Sequence, residues 1–97
     1  NQYHTLNSVL DISKEVTFWL EGYDDAEKVY LAGSFNDWNP QGIRMRREGN
    51  TWLAKVELAG GKHWYKFVVD GQWMTDPENP IKEHDGKGNI NSVLMVN

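Results

Sequence analysis

No stretch of this 97-residue chain keeps an apolar period of 3.6 residues. Apolar and polar side chains alternate instead, in short runs separated by glycine-bearing turns, which is the pattern of antiparallel strands. Val16, Phe18 and Leu20 alternate with Thr17, Trp19 and Glu21. Val29, Leu31 and Gly33 alternate with Tyr30 and Ala32, and Ile43 and Met45 with Arg44 and Arg46. Trp52, Ala54, Val56 and Leu58 share one face of the next run, with Leu53, Lys55 and Glu57 on the other. Tyr65, Phe67 and Val69 alternate with Trp64, Lys66 and Val68, and a last strand runs from about Ile90 to Val96. Turn signals stand between these runs at Glu48-Gly49-Asn50, Gly60-Gly61 and Asp70-Gly71. The pattern predicts an all-β antiparallel sandwich or barrel. Thr75 to Asn89 is polar and holds two of the three prolines. A loop that long in a small domain is expected to be either disordered or functional.

The length allows one domain, which buries only about two-thirds of its unfolded surface. The formal charge is −4 and the pI about 5.2. Nucleic acid and anionic membrane surfaces call for a clustered positive field, so neither is an expected partner. The same balance disfavours an oligonucleotide-binding barrel, although such barrels also carry aromatic strands. The absence of cysteine excludes disulfides, thiolate zinc sites and cysteine nucleophiles. No apolar run approaches the roughly 20 residues of a membrane-spanning helix, and no signal peptide is visible. Beginning at Asn1, the chain reads as cut from something longer.

Five tryptophans are more than a core of this size hides easily. Trp52 fits the core stripe. Trp19 alternates out of it, either to cover the sheet or to meet a neighbouring module. Trp38 sits in a polar turn among Asn36, Asp37, Asn39 and Pro40, and Trp73 follows Asp70-Gly71-Gln72 at a hairpin edge, so both are expected at the surface. One internal repeat stands out. Asn7-Ser8-Val9-Leu10 recurs as Asn91-Ser92-Val93-Leu94, with Leu6 and Ile90 preceding the two copies. It is either coincidence or the sign that residues 1–12 are, or mimic, the last strand of a preceding copy. The organisation is therefore read as an extension or tail strand of a preceding module over 1–14 and a β-sandwich over 15–97.

Three segments carry a family resemblance. They are Gly33-Ser34-Phe35-Asn36-Asp37-Trp38-Asn39; His63 through Trp73, continuing into Thr75-Asp76-Pro77 and Asn79-Pro80; and Gly88-Asn89-Ile90-Asn91-Ser92-Val93-Leu94. In order and spacing, over roughly residues 15–97, they resemble the family 48 carbohydrate-binding modules. That resemblance implies an immunoglobulin-like β-sandwich and non-catalytic binding of α-glucans. It implies that Trp38 and Trp73 are sugar platforms and that Lys66 and Asn91 bond sugar hydroxyls. Lys87 stands at the loop position that is leucine in kinase-subunit members, and Asn89 at the next polar contact position, usually threonine. It also implies a covalently attached catalytic or repeat module.

The residue types suit that chemistry. A pyranose has an apolar face and a hydroxyl rim; an indole is flat, rigid and apolar, and Lys and Asn supply donors and acceptors for the rim. Trp64 shares the outer face with Lys66, where it either extends the platform or caps the sheet. The substrate-binding set is thus Trp38, Trp73, Lys66, Asn91, Asn89, Trp64 and Lys87, with no catalytic residue, metal or cofactor. Asp76, Glu78, Glu83 and Asp85 lie in one polar loop, with no apolar pocket in evidence to raise a carboxyl pKa, and read as solvated charge. A calcium loop opening at Asp85 would need glycine where Ile90 stands and glutamate where Val96 stands. The competing reading is an interaction module that packs against a catalytic domain without binding sugar.

Overall fold

The computed structural model describes residues 13–97. The reading of residues 1–12 as a tail strand therefore lies outside the described residues. The strands are β1 (Ser13–Glu21), β2 (Val29–Gly33), β3 (Ile43–Arg44), β4 (Arg46–Glu48), β5 (Thr51–Ala59), β6 (Gly61–Val69), β7 (Gln72–Met74), β8 (Lys82–His84) and β9 (Ile90–Val96). One sheet has the order β1-β5-β4; the other runs β3-β2-β6-β9-β8, with β7 pairing the end of β6. All pairings are antiparallel, so of the sandwich and barrel that the alternation left open, the chain adopts the all-β sandwich that the family resemblance implied.

The alternation dictates which side chains meet between the sheets. Phe18 and Leu20 from β1, Trp52, Ala54 and Leu58 from β5, Leu31 from β2, and Tyr65 and Phe67 from β6 form one core. Phe18 meets Tyr65 edge to face at 5.0 Å, the arrangement aromatic quadrupoles favour. Trp52 is buried as its stripe predicts, and its Nε1 donates to the Tyr23 carbonyl at 3.3 Å. Trp19 is 46% exposed.

Two turns match their sequence signals. Asp70-Gly71 joins Val69 to its partner Gln72, with both φ positive at 47° and 86°, as a type I′ hairpin requires. The Asp70 carboxylate also accepts the backbone N–H groups of Glu27 and Lys28. Gly49-Asn50 joins Glu48 to Thr51.

Two stretches differ from the local reading. The run around Met45 is not one strand. Ile43 and Arg44 pair with β2 in the larger sheet, whereas Arg46 to Glu48 pair with β5 in the smaller one. Met45 is the corner: its side chain is buried in the core and its N–H donates to the Val29 carbonyl at 2.8 Å. Gly60-Gly61 carries the chain from β5 in one sheet to β6 in the other, with Gly61 at φ 120°. Corners of this kind let a sandwich close.

The polar stretch from Thr75 to Asn89 is not a bare loop, because β8 lies within it and pairs with β9. Asp76 corrects the reading of that stretch as solvated charge. It is only 9% exposed. Its Oδ2 accepts the Tyr65 hydroxyl at 2.6 Å and its Oδ1 the Glu78 N–H, while its own N–H donates to Ser92 Oγ. Asn79 Nδ2 donates to Tyr65 Oη and to the Val93 carbonyl. A carboxylate that deep must be paired, and here it pins the stretch to the core.

Burial, and then the bond to Asp76, push the Tyr65 hydroxyl well above its ordinary 10.0. The sign follows directly. Above pH 10 an unfolded tyrosine ionises while the folded Tyr65 keeps its proton, so unfolding releases a proton. Stability should be flat in this respect below pH 10 and fall as pH rises beyond it. Urea unfolding at pH 8 and pH 11, on wild type and Tyr65→Phe, checks this; the variant should lose part of the alkaline slope.

Candidate functional site

The outer face of the larger sheet carries most of the candidate residues. In β6, Tyr65 and Phe67 turn into the core, which sends Lys62, Trp64 and Lys66 outward. Register then decides their neighbours. Lys66 lies opposite Ala32, Trp64 opposite Val93, Trp73 opposite Val68, and Asn91 opposite Glu83. The hairpin at Asp70-Gly71 folds Trp73 back over the same face, where it is 46% exposed.

Trp38 arrives from the β2–β3 connection. The Gly33 carbonyl accepts the N–H groups of Asn36 and Trp38, at 3.1 Å and 2.9 Å. Asn36 Oδ1 accepts the Gly33 N–H, and its Nδ2 donates to the Leu31 carbonyl. Gly33 cannot be larger: a Cβ there would meet the Trp64 carbonyl oxygen at 2.5 Å and Phe35 Cε2 at 2.6 Å. Within this knot Asp37 and Trp38 both take left-handed backbone, at φ 55° and 56°. For a bulky residue that conformation costs about 1–2 kcal/mol. The strain turns the indole toward Trp73, with ring centroids 6.4 Å apart and planes inclined by 45°.

Between them lies an open hollow of about 530 Å³ lined by Trp38, Trp64, Lys66, Trp73, Asp85, Asn89 and Asn91. Six of the seven residues expected from sequence therefore come together. Lys87 does not line the hollow; its backbone N–H donates to Asp85 Oδ1 at 2.7 Å. Asn91 is only 5% exposed, and no described side-chain nitrogen or oxygen is buried without a partner. It forms part of the hollow's floor.

Sequence reasoning missed Asp85 as a lining residue. Its carboxylate accepts the N–H groups of Lys87 and Asn89 and the Asn89 Nδ2, the last at 2.8 Å. The Asn89 side-chain bond, then the Lys87 N–H, hold the Asp85 carboxyl below the usual range. The signal for this tight loop was Gly86 and Gly88 on either side of Lys87, both at positive φ. Glu83 was also missed. It does not line the hollow, but its Oε1 accepts the Trp64 indole N–H. Among the described residues, no group of three or more histidines and carboxylates stands close enough to hold a metal ion.

Two tilted indoles over a floor of amide and lysine groups, with one carboxylate at the side, suit a neutral ligand that has apolar faces and a hydroxyl rim.

Comparison with known proteins identifies a family and a fold. The family model described as the glycogen recognition site of AMP-activated protein kinase matches residues 4–97. The chain is 40% identical over 78 residues to the 5'-AMP-activated protein kinase subunit beta-1 of Sus scrofa, a match covering 80% of this chain and 59% of that one. Against the beta-1 subunit of Homo sapiens it is 41% identical over 78 residues, covering 80% of this chain and 27% of the relative. The match thus spans less than two-thirds of either relative, 59% of the first and 27% of the second. Among solved structures, a maltogenic amylase from S. marinus superposes with a TM-score of 0.78 at 21% identity, over 89% of this chain and 14% of that one. An enterochelin esterase from Shigella flexneri gives 0.72 at 18% identity, over 98% of this chain and 35% of that one. At those identities the likeness is one of fold. With the family model running over nearly the whole sequence, the chain belongs to the family of glycogen recognition sites of AMP-activated protein kinase.

Proposed function

We propose that this chain is a non-catalytic module that binds α-1,4-linked glucans (glycogen, starch or maltooligosaccharides) in the hollow of the larger sheet, and so targets an attached enzyme or regulatory protein. The observation that carries this reading is the pair of inclined indoles, Trp38 and Trp73, 6.4 Å apart above Lys66 and Asn91. Successive glucose units of an α-1,4 chain turn relative to one another, so two platforms at an angle suit them better than one flat face. Lys66 Nζ and the amides of Asn89 and Asn91 bond the hydroxyl rim.

Each indole face covers on the order of 100 Å² of apolar surface, worth roughly 2–3 kcal/mol. Rim hydrogen bonds add about 1 kcal/mol each, and association costs at least ~4 kcal/mol. The balance gives a dissociation constant of roughly micromolar to millimolar, which several modules on one polymer would strengthen.

The carboxylates support a non-catalytic role. A glycosidase needs an acid with a raised pKa beside a second carboxylate. Asp85, the carboxylate on the hollow, is shifted the other way; Asp76 is committed to Tyr65 and Glu83 to Lys62. Glu78, whose carboxyl the neighbouring Glu21 charge raises, is exposed and lines the second hollow, not the one between the indoles.

A second reading, contact with an attached domain, draws on a different face. Trp19, Ile81 and Met95 are exposed around a separate hollow of about 460 Å³. The two roles use different surfaces and are compatible. The deciding experiment is a titration with maltoheptaose and β-cyclodextrin, followed by tryptophan fluorescence. Saturable binding supports the glucan reading. No change at millimolar sugar rejects it and leaves the interaction module.

A further inference from the structure

The hollow has a third indole, and its mooring is unlike that of the other two. Trp64 is half-buried on the outer face of β6. Its backbone is clamped to the β2–β3 connection: its N–H donates to Ser34 Oγ at 3.1 Å, and its carbonyl accepts the Ser34 N–H at 2.9 Å. Its ring is held from the opposite side. Trp64 Nε1 donates to Glu83 Oε1 at 2.9 Å, diagonally across β9. Glu83 in turn receives Lys62 Nζ at 3.0 Å on both carboxylate oxygens. Lys62, Trp64 and Glu83 thus form one chain of bonds on the sheet face, with the indole at its inner end, against the hollow.

We propose that Glu83, braced by Lys62, is a positioning residue that fixes the Trp64 indole as a third wall of the glucan groove, so that the groove reads chain length beyond the Trp38–Trp73 pair. This rests on the glucan reading above. A loose indole on a sheet face would have to be ordered when sugar binds; one already bonded at its ring nitrogen is not. Glu83 itself touches no sugar. The hydrogen bond to Lys62, and next that to Trp64, hold its carboxyl below the usual range, so it remains an acceptor across ordinary pH.

The geometry separates this role from a purely structural one. Trp64→Ala should weaken maltoheptaose binding by roughly tenfold or more, because a ring face is lost. Maltotriose, short enough to lie on Trp38 and Trp73 alone, should be much less affected. Glu83→Ala should weaken maltoheptaose by roughly 3- to 10-fold, and should add nothing in a Trp64→Ala background, since it acts only through that ring. Glu83→Gln keeps an acceptor for Trp64 Nε1 and should recover most of the affinity.

The experiment is calorimetric titration of maltotriose and maltoheptaose into wild type, Trp64→Ala, Glu83→Ala, Glu83→Gln and the double variant. The Trp64 indole N–H resonance is followed in parallel by NMR, and folding is checked by circular dichroism. Support is a maltoheptaose-selective loss in the alanine variants, non-additivity in the double, rescue by glutamine, and an indole resonance that moves on both Glu83→Ala and sugar addition. If Trp38-dependent binding persists and folded Trp64→Ala or Glu83→Ala binds maltoheptaose like wild type, the proposal is overturned while the glucan reading stands. Wild type that binds neither sugar overturns both.

Discussion

Trp73→Ala should leave the module folded and cost it about 2–3 kcal/mol of maltoheptaose binding, roughly 30- to 150-fold. From a millimolar start, that removes saturation from any practical titration; from a micromolar start, it moves the midpoint to roughly 30–150 μM. The residue is 46% exposed on a short strand at the sheet's face, so little of the core depends on it. Thermal unfolding should stay close to wild type. Trp38→Ala should lose binding to a similar extent, because the two rings form one surface. A third variant separates strain from recognition. Position 38 sits at φ 56°, which glycine adopts without penalty. Trp38→Gly should therefore be more stable than Trp38→Ala by about 1 kcal/mol in urea unfolding, yet bind no better. Wild-type affinity in folded Trp73→Ala would remove the indole pair from the ligand site.

The largest stability effect is expected away from the groove. Asp76→Ala leaves the buried Tyr65 hydroxyl without its carboxylate acceptor and frees the Glu78 N–H. Hydrogen bonds to charged groups are worth about 1.5–3 kcal/mol each, and an orphaned buried donor adds to the loss. A fall of about 2–4 kcal/mol is expected, which in a domain this small lowers Tm by roughly 10 °C or more. Asp76→Asn retains an acceptor and should lose about half as much. Because Asp76 lines the second hollow and not the groove, folded Asp76→Asn should bind glucan as wild type does. An Asp76→Ala variant within 0.5 kcal/mol of wild type would mean that the stretch after β7 is held by other contacts, Asn79 foremost.

Much of the fold was legible because strands announce themselves locally. A period of two fixes which side chains face the core, and so Trp52 lies inside and Trp19 outside. Asp70-Gly71 sets its hairpin because both residues accept positive φ, and in Gly49-Asn50 the glycine alone supplies it. Of the groove residues, the same period made the outward face of two legible: Trp64 and Lys66 had to face away from Tyr65 and Phe67, whatever sheet β6 joined; the other expected ones were implied by the family resemblance.

What the local pattern lacks is the identity of a strand's partners. Ile43 to Arg46 alternates like one strand, yet its halves pair with different sheets on either side of Met45. No period encodes that change; it follows from where β2 and β5 already stand. Asp76 looked solvated among its polar neighbours, and only the approach of Tyr65 and Ser92 across the sheet makes it a buried anchor. Lys87 has the right position in the chain for the groove, but the Asp85 carboxylate gathers its backbone into a tight loop and the hollow is completed without it. The sequence alone determined the strands, their faces and the ring chemistry on offer, because these depend on neighbours one to three residues away. Only the tertiary structure decided the sheet crossings, the buried carboxylate, the left-handed backbone beneath Trp38 and the Glu83 brace on Trp64, because each depends on groups brought together from distant parts of the chain.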